Sequence, residues 1–183
     1  YITVTRRMEV PLNGRLEEQV FTSNPMKMLP SGRYAFAALG GADMVSVIDT
    51  AHAEDLPDPQ PGHQGQTITV LHPIEIARIP IGSRLNAPGQ APRTVVVTPD
   101  NTRAYVTLEG SGGIAVIDAV GLHEVDLVPD VDTEPDTLGV QHIQLRNAPG
   151  AAPFGAVTDR DGNYLYVTDE KTGAIYVIDI NPY

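Results

Sequence analysis

Asn86–Asp118 reads NAPGQAPRTVVVTPDNTRAYVTLEGSGGIAVID, and its pattern returns 61 residues later, without a gap, as Asn147–Asp179, NAPGAAPFGAVTDRDGNYLYVTDEKTGAIYVID. A partial third copy, Pro30–Asp49, aligns with Pro99–Asp118 at an offset of 69. A repeat of this length has to be settled before any single element is assigned, because it dictates the architecture. Within the middle copy, Thr94–Thr98 is a β-branched run suited to a pleated surface. Pro99-Asp100-Asn101 is a turn, since Pro presets φ while Asp and Asn bond their own backbone and tolerate left-handed geometry. Ala104–Thr107 is a second strand, Gly110–Gly113 a second turn, and Ile114–Ile117 a third strand that stops at Asp118. The last copy repeats this grammar with turns at Asp161-Gly162-Asn163 and Lys171-Thr172-Gly173. Strand, turn and strand at such spacing predict antiparallel hairpins.

Runs such as Tyr164-Leu165-Tyr166-Val167 and Ile175-Tyr176-Val177-Ile178 are apolar at successive positions. A sheet with one wet face would alternate more cleanly. Small sheets stacked face to face account for both the repetition and the two-sided apolarity. The pattern Pro-Asp-(Gly/Asn), then Tyr-Val-Thr, then Val-x-Val-Ile-Asp resembles the YVTN-type β-propeller repeat. It is carried by Tyr105-Val106-Thr107-Leu108 and Tyr166-Val167-Thr168-Asp169, and it degenerates to Phe36-Ala37-Ala38-Leu39 in the first copy. The resemblance implies an all-β chain of about three four-stranded antiparallel blades, part of a larger propeller. It also implies inner strands at Val95–Thr98 and Ala156–Thr158, fed by the two Asn-Ala-Pro-Gly loops.

The reading divides the chain into blade-like units over about 1–50, 67–119 and 139–180, with loop insertions at 51–66 and 120–138. Ala51–Gln66, with its three prolines and acidic residues, reads as an exposed loop. Thr67–Leu71 and Ile74–Ile79 read as strands. Closed propellers carry four to eight blades, so three units predict further blades, from other sequence or other chains. Both ends read as cut. The wet sheet faces left by an open ring are expected at Met44, Val45 and Val47 in the first unit, or at Tyr176 and Ile178 in the last.

Composition narrows the functional classes. A formal net charge of −11 with 12 Lys and Arg argues against nucleic-acid partners, which demand clustered cations. With no cysteine, thiolate metal sites, disulfides and covalent haem attachment are excluded. No apolar run reaches the length of a transmembrane segment. Nucleophile-elbow and phosphate-loop motifs are missing too: Gly110–Gly113 leads into no helix with a Lys.

The candidate metal ligands are Asp130, Asp132, Glu134 and Asp136, whose alternation turns four carboxylates to one side of an extended segment. Oxygen-rich clusters suit Ca²⁺; the competing reading is a solvated acidic loop. Asp49, Asp118 and Asp179 end equivalent strands and read as acceptors for turn amides. Asp159–Asn163 resembles the start of a calcium loop but falls on a hairpin turn. His52 and His63 flank the proline-rich loop with nothing to fix their geometry. In similar propellers the residue after the repeated Pro lies at the mouth of the central channel, which makes Met26, Arg93 and Phe154 the channel-mouth binding candidates. Those three hold no metal ligand set. The expectation is therefore a non-catalytic binding or scaffold module of an exported protein, extracellular, on the cell surface or periplasmic, taking a protein or glycan ligand. The alternative is the propeller portion of an enzyme, resembling an amine dehydrogenase heavy chain or a lyase, whose catalytic groups lie elsewhere.

Overall fold

The structure, a computed structural model, describes residues 26–28, 33–58, 60, 65–82, 90–127, 142–145 and 150–181. These residues form strands and no helix. In chain order the strands are β1 (Met26–Met28), β2 (Tyr34–Leu39), β3 (Met44–Pro57), β4 (Thr67–Pro80), β5 (Pro92–Val97), β6 (Arg103–Leu108), β7 (Gly113–Asp118), β8 (His123–Val125), β9 (Ile143–Gln144), β10 (Pro153–Thr158), β11 (Tyr164–Asp169) and β12 (Ile175–Asp179). All pairings are antiparallel: β1-β2-β3-β4 in the first sheet, β5-β6-β7-β8 in the second with β9 also on β7, and β10-β11-β12 in the third.

The repeat explains this order. Asn101, at φ 63°, and Gly162, at φ 74°, take the left-handed positions of equivalent first turns. Each turn is tied by an aspartate: Asp100 Oδ1 accepts from Thr102 N–H (3.1 Å), and Asp159 Oδ1 from Asn163 N–H (2.7 Å) and Tyr164 N–H (2.9 Å). Asp159–Asn163 is thus a hairpin turn, as turn chemistry requires.

Two apolar layers stack the sheets. Between the first and second sheets lie Phe36, Val45, Val47, Ile79, Val95, Val106 and Ile117; between the second and third lie Val96, Tyr105, Ile114, Val116, Leu165 and Val167. The middle sheet is therefore covered on both faces, which is why its strands read as continuous apolar runs. The edge strand β5 contacts β1 on one side and β10 on the other, while β4 contacts β8. The three sheets thus fan out from a shared inner edge of β1, β5 and β10. This is part of a β-propeller.

Several expectations are corrected. Residues 51–57 are not loop: β3 continues to Pro57, paired from His52↔His72 to Pro57↔Thr67 with the start of β4. Cross-strand contacts explain the extension. Thr69 Oγ1 donates to Asp55 Oδ1 (2.7 Å), and the His52 and His72 rings meet edge to face at 5.4 Å. Pro73, which has no N–H to give, falls where the register shifts between Asp49 and His52, the bulge position at which a sheet tolerates proline. Residues 67–80 consequently belong to the first sheet, not the second, and Ile143–Gln144 to the second, not the third. Antiparallel pairing returns each outer strand to the sheet it follows. Residues 120–138 are likewise not all insertion, since they include β8. Apart from Met44, which is half-buried on the side opposite Val45, the wet-face residues are corrected by one position. Val45 and Val47 are buried between sheets and Tyr176 and Ile178 pack inward, whereas Val157, Tyr166, Ile175 and Val177 are exposed. In a strand, one residue separates opposite faces.

The strand-end carboxylates behave as turn acceptors. Asp118 Oδ1 takes the N–H groups of Gly121 (2.9 Å) and Val120 (2.9 Å), which hold its pKa below the ordinary value. Asp49 is buried, which opposes ionisation, yet Arg33 (3.1 Å) and the Ala51 N–H (3.0 Å) outweigh this and lower its pKa. Asp179 accepts from Asn181 N–H (3.1 Å). Asp100 is lowered by Thr98 and Thr102; Asp169 is lowered despite its burial, by the amides of Thr172, Ala152 and Lys171. Groups whose folded pKa is depressed contribute stability above the unfolded value of about 4 and lose it as pH falls through the folded values. The melting temperature is therefore expected to be level from about pH 7 to 5 and to fall steeply below about pH 4, less steeply in Asp118→Asn. Relief of the −11 net charge acts in the opposite direction, but it is long-range and screened. An equal melting temperature at pH 3 and pH 7 would refute the assignment.

Candidate functional site: the inner-strand mouth

Both inner strands are bulged at the same point. The β5–β6 register shifts between Pro92 and Val95, and the β10–β11 register between Pro153 and Ala156. The bulges hold Arg93-Thr94 and Phe154-Gly155, equivalent pairs in the repeat. A bulge re-aims side chains that a regular strand would send up and down. Here the repeat's threonine fixes it. Thr107 Oγ1 accepts from Thr94 N–H (2.9 Å), and its hydroxyl, like that of Thr94, donates to the Phe154 carbonyl of the next sheet (3.0 and 2.7 Å). Thr168 likewise accepts from Gly155 N–H (3.0 Å).

This arrangement brings Arg93 and Phe154 together, the guanidinium carbon standing 5.5 Å from the ring centroid. Arg93 Nε is hydrogen-bonded to Glu109 Oε2, and both side chains are about one-third exposed. The bond to Glu109 raises the Arg93 pKa, burial opposes it, and the fields of Glu109 and Glu170 add to the rise. Glu170 is the counterpart of Glu109 one repeat on. No hydrogen bond joins the Arg93 Nη atoms to another described residue. A permanently charged donor thus sits on one carboxylate and in the field of a second, beside an aromatic ring, where two sheets meet.

Met26 does not join them by register. It pairs with Ala37, the counterpart of Val106, which pairs with Val95; Met26 therefore holds the Val95 position, past the bulge, and not the Arg93 position. Asp130, Asp132, Glu134 and Asp136 lie outside the described residues, as does His63. Among the described residues no group of three His, Cys, Asp or Glu side chains gathers as a metal site requires. His52 meets His72 across the arm of β3 and β4, with Glu54 at 3.5 Å from His72 Nε2.

Sequence reasoning missed Glu109 and Glu170, although their separation of 61 residues was available as a signal. It also missed a second polar cluster. Glu124 on β8 accepts from Gly82 N–H at Oε2 (2.8 Å), and its Oε1 is 2.9 Å from His142 Nε2. Both side chains are buried, at 6% and 7% exposure. This pair ties together the two points where the chain leaves and rejoins the outer edge of the second sheet. It is remote from the inner strands and positions the sheet edge rather than the mouth.

Comparison with known proteins bears on the fold. No family model matches the chain, and no curated protein matches it significantly. Among solved structures, a periplasmic gluconolactonase of Pseudomonas aeruginosa matches at a TM-score of 0.52 and 21% identity, covering 86% of this chain. Kuenenia stuttgartiensis hydrazine synthase matches at 0.50 and 20% identity, covering 92%. The chain spans 36% of the length of each. Likeness at this identity establishes the fold. Residues of the described portion include no helix long and apolar enough to cross a membrane. The expectation of a non-catalytic binding or scaffold module is overturned here: both structures of similar fold just named are enzymes, and the enzyme alternative is the one carried forward.

Proposed function

We propose that this chain is part of the propeller of an enzyme, of the YVTN-repeat kind, working in the periplasm or outside the cell, with Arg93, Glu109 and Phe154 on its substrate-binding surface. The observation that carries the reading is the cluster itself, held by bulges on two adjacent inner strands and by hydroxyl bonds from one sheet to the next. Its chemistry suits a polyhydroxy substrate with a polarised carbonyl. The Phe154 ring offers an apolar platform, Glu109 and Glu170 accept hydrogen bonds from hydroxyls, and the Arg93 Nη groups donate to a carbonyl oxygen or the oxyanion that forms from it. Sugar lactones are such substrates, and a gluconolactonase is among the structures of similar fold. In hydrolysis, water adds to the lactone carbonyl, the ring C–O bond breaks, and the resulting acid releases one proton at neutral pH. The group that activates the water belongs to the remainder of the ring.

The test is proton release from a panel of aldonolactones by the full-length protein, comparing wild type with Arg93→Met. Loss of an oxyanion donor costs about 100-fold or more in turnover, and that drop in kcat/KM is expected with melting temperature little changed. Full activity in Arg93→Met would remove the mouth from the mechanism. Wild-type protein inert toward every lactone would remove the substrate class.

A further inference from the structure

The contact between the second and third sheets consists of three parts, and the third sheet carries an unfilled counterpart of each. The apolar part comes first. Val96, Tyr105, Ile114 and Val116 of the second sheet are buried beneath the third. Their counterparts 61 residues on, Val157, Tyr166, Ile175 and Val177, are 58, 38, 67 and 60% exposed. Next are the hydroxyls: Thr107 reaches forward to the Phe154 carbonyl, whereas Thr168 turns back onto Gly155 O (3.2 Å). Third, a Cβ on Gly112 would meet the Ala151 carbonyl of the following sheet at 3.0 Å, while nothing stands within 4 Å of Gly173.

We infer that the open face of the third sheet is the docking surface for a further blade of the same repeat, placed by the same step that relates the second sheet to the third. The incoming blade presents aliphatic side chains at the positions of Leu165, Val167 and Ile178, a main-chain carbonyl to Thr168 and a lead-in loop over Gly173. A second copy of the first sheet does not meet this description. On the first sheet's face away from the second, Ala35 and Ile48 are already buried. That face also carries Ser46 bonded to Glu75 (2.6 Å) and Glu75 paired with Arg78 (3.0 Å). An apolar face of this extent, left in water, is otherwise rare on a soluble protein.

The inference is tested on the full-length protein with Val177→Lys, using Val120→Lys, on an exposed turn outside this face, as control. Under a covering blade, Val177→Lys buries an unpaired charge and lowers the melting temperature by on the order of 10 °C at every protein concentration; the control leaves it unchanged. An unchanged melt would show that the face is wet. A drop accompanied by dissociation on dilution would show that a separate copy covers it. Either result overturns the inference. Should the variant fail to fold, tyrosine nitration of wild-type protein decides: Tyr166 is protected under a blade and reacts if the face is open.

Discussion

Glu124→Ala is expected to destabilise the protein by about 3 kcal/mol, because it leaves two polar groups without an acceptor. The carboxylate serves both the Gly82 N–H and the His142 ring, and a buried donor left unpaired costs about 1–3 kcal/mol. Exposed pairs are a different case: Arg33 beside Asp49 is more than half exposed, and such bridges are worth about 0–1 kcal/mol. Burial, not charge, makes Glu124 the sensitive position. Glu124→Gln retains one acceptor oxygen and should recover more than half of the loss. Urea unfolding monitors this as a shift of midpoint at constant slope. A loss below about 1 kcal/mol for Glu124→Ala would mean that water replaces both bonds.

Tyr105→Ala removes the largest side chain of the layer between the second and third sheets and is expected to cost about 3–5 kcal/mol. Tyr105 is 1% exposed, so the cavity has no route by which solvent could fill it cheaply. Burial also pushes its phenol up to about 12. Since the folded value is raised, the associated stability is complete below about pH 10 and declines as pH climbs toward 12. Chemical denaturation of the Ala variant checks the first effect and tyrosinate absorbance the second. A loss under about 1 kcal/mol would mean that the two sheets do not rely on this contact.

The fold was legible because it is written three times. Turn residues at Pro99–Asn101 and Asp159–Asn163 marked the hairpins, and apolar runs on both sides of them required stacking partners. What escaped the reading depended on contacts between segments remote in sequence. Proline marked residues 51–57 as loop, since a local rule does not see Thr69 and His72 waiting across the strand. Met26 was matched to Arg93 through the proline before it, whereas the offset of 69 carries it to Val95, as its pairing with Ala37 does. Of the mouth, Arg93 and Phe154 were named from the resemblance, but their contact follows from hydroxyls that reach from one sheet to the next. Glu124 and His142 carried no signal, being joined only after an excursion of the chain.

The arm formed by the far ends of β3 and β4 has a consequence for self-association. From residue 52 onward the two strands pair only with each other among the described residues, whose ladders leave the outward-facing main-chain donors and acceptors of both strands without a described strand partner. Leu56, Ile68 and Leu71 are exposed there. Such a ribbon is a template for recruiting a strand from another molecule, the first step toward ordered aggregates. Glu54 and Asp55 place negative charge along it, and Pro57 and Pro73 interrupt the row of amide donors. Like charge repels a second copy of the arm, and each missing donor shortens the run that could be extended. Two carboxylates and two prolines thus guard an otherwise adhesive edge.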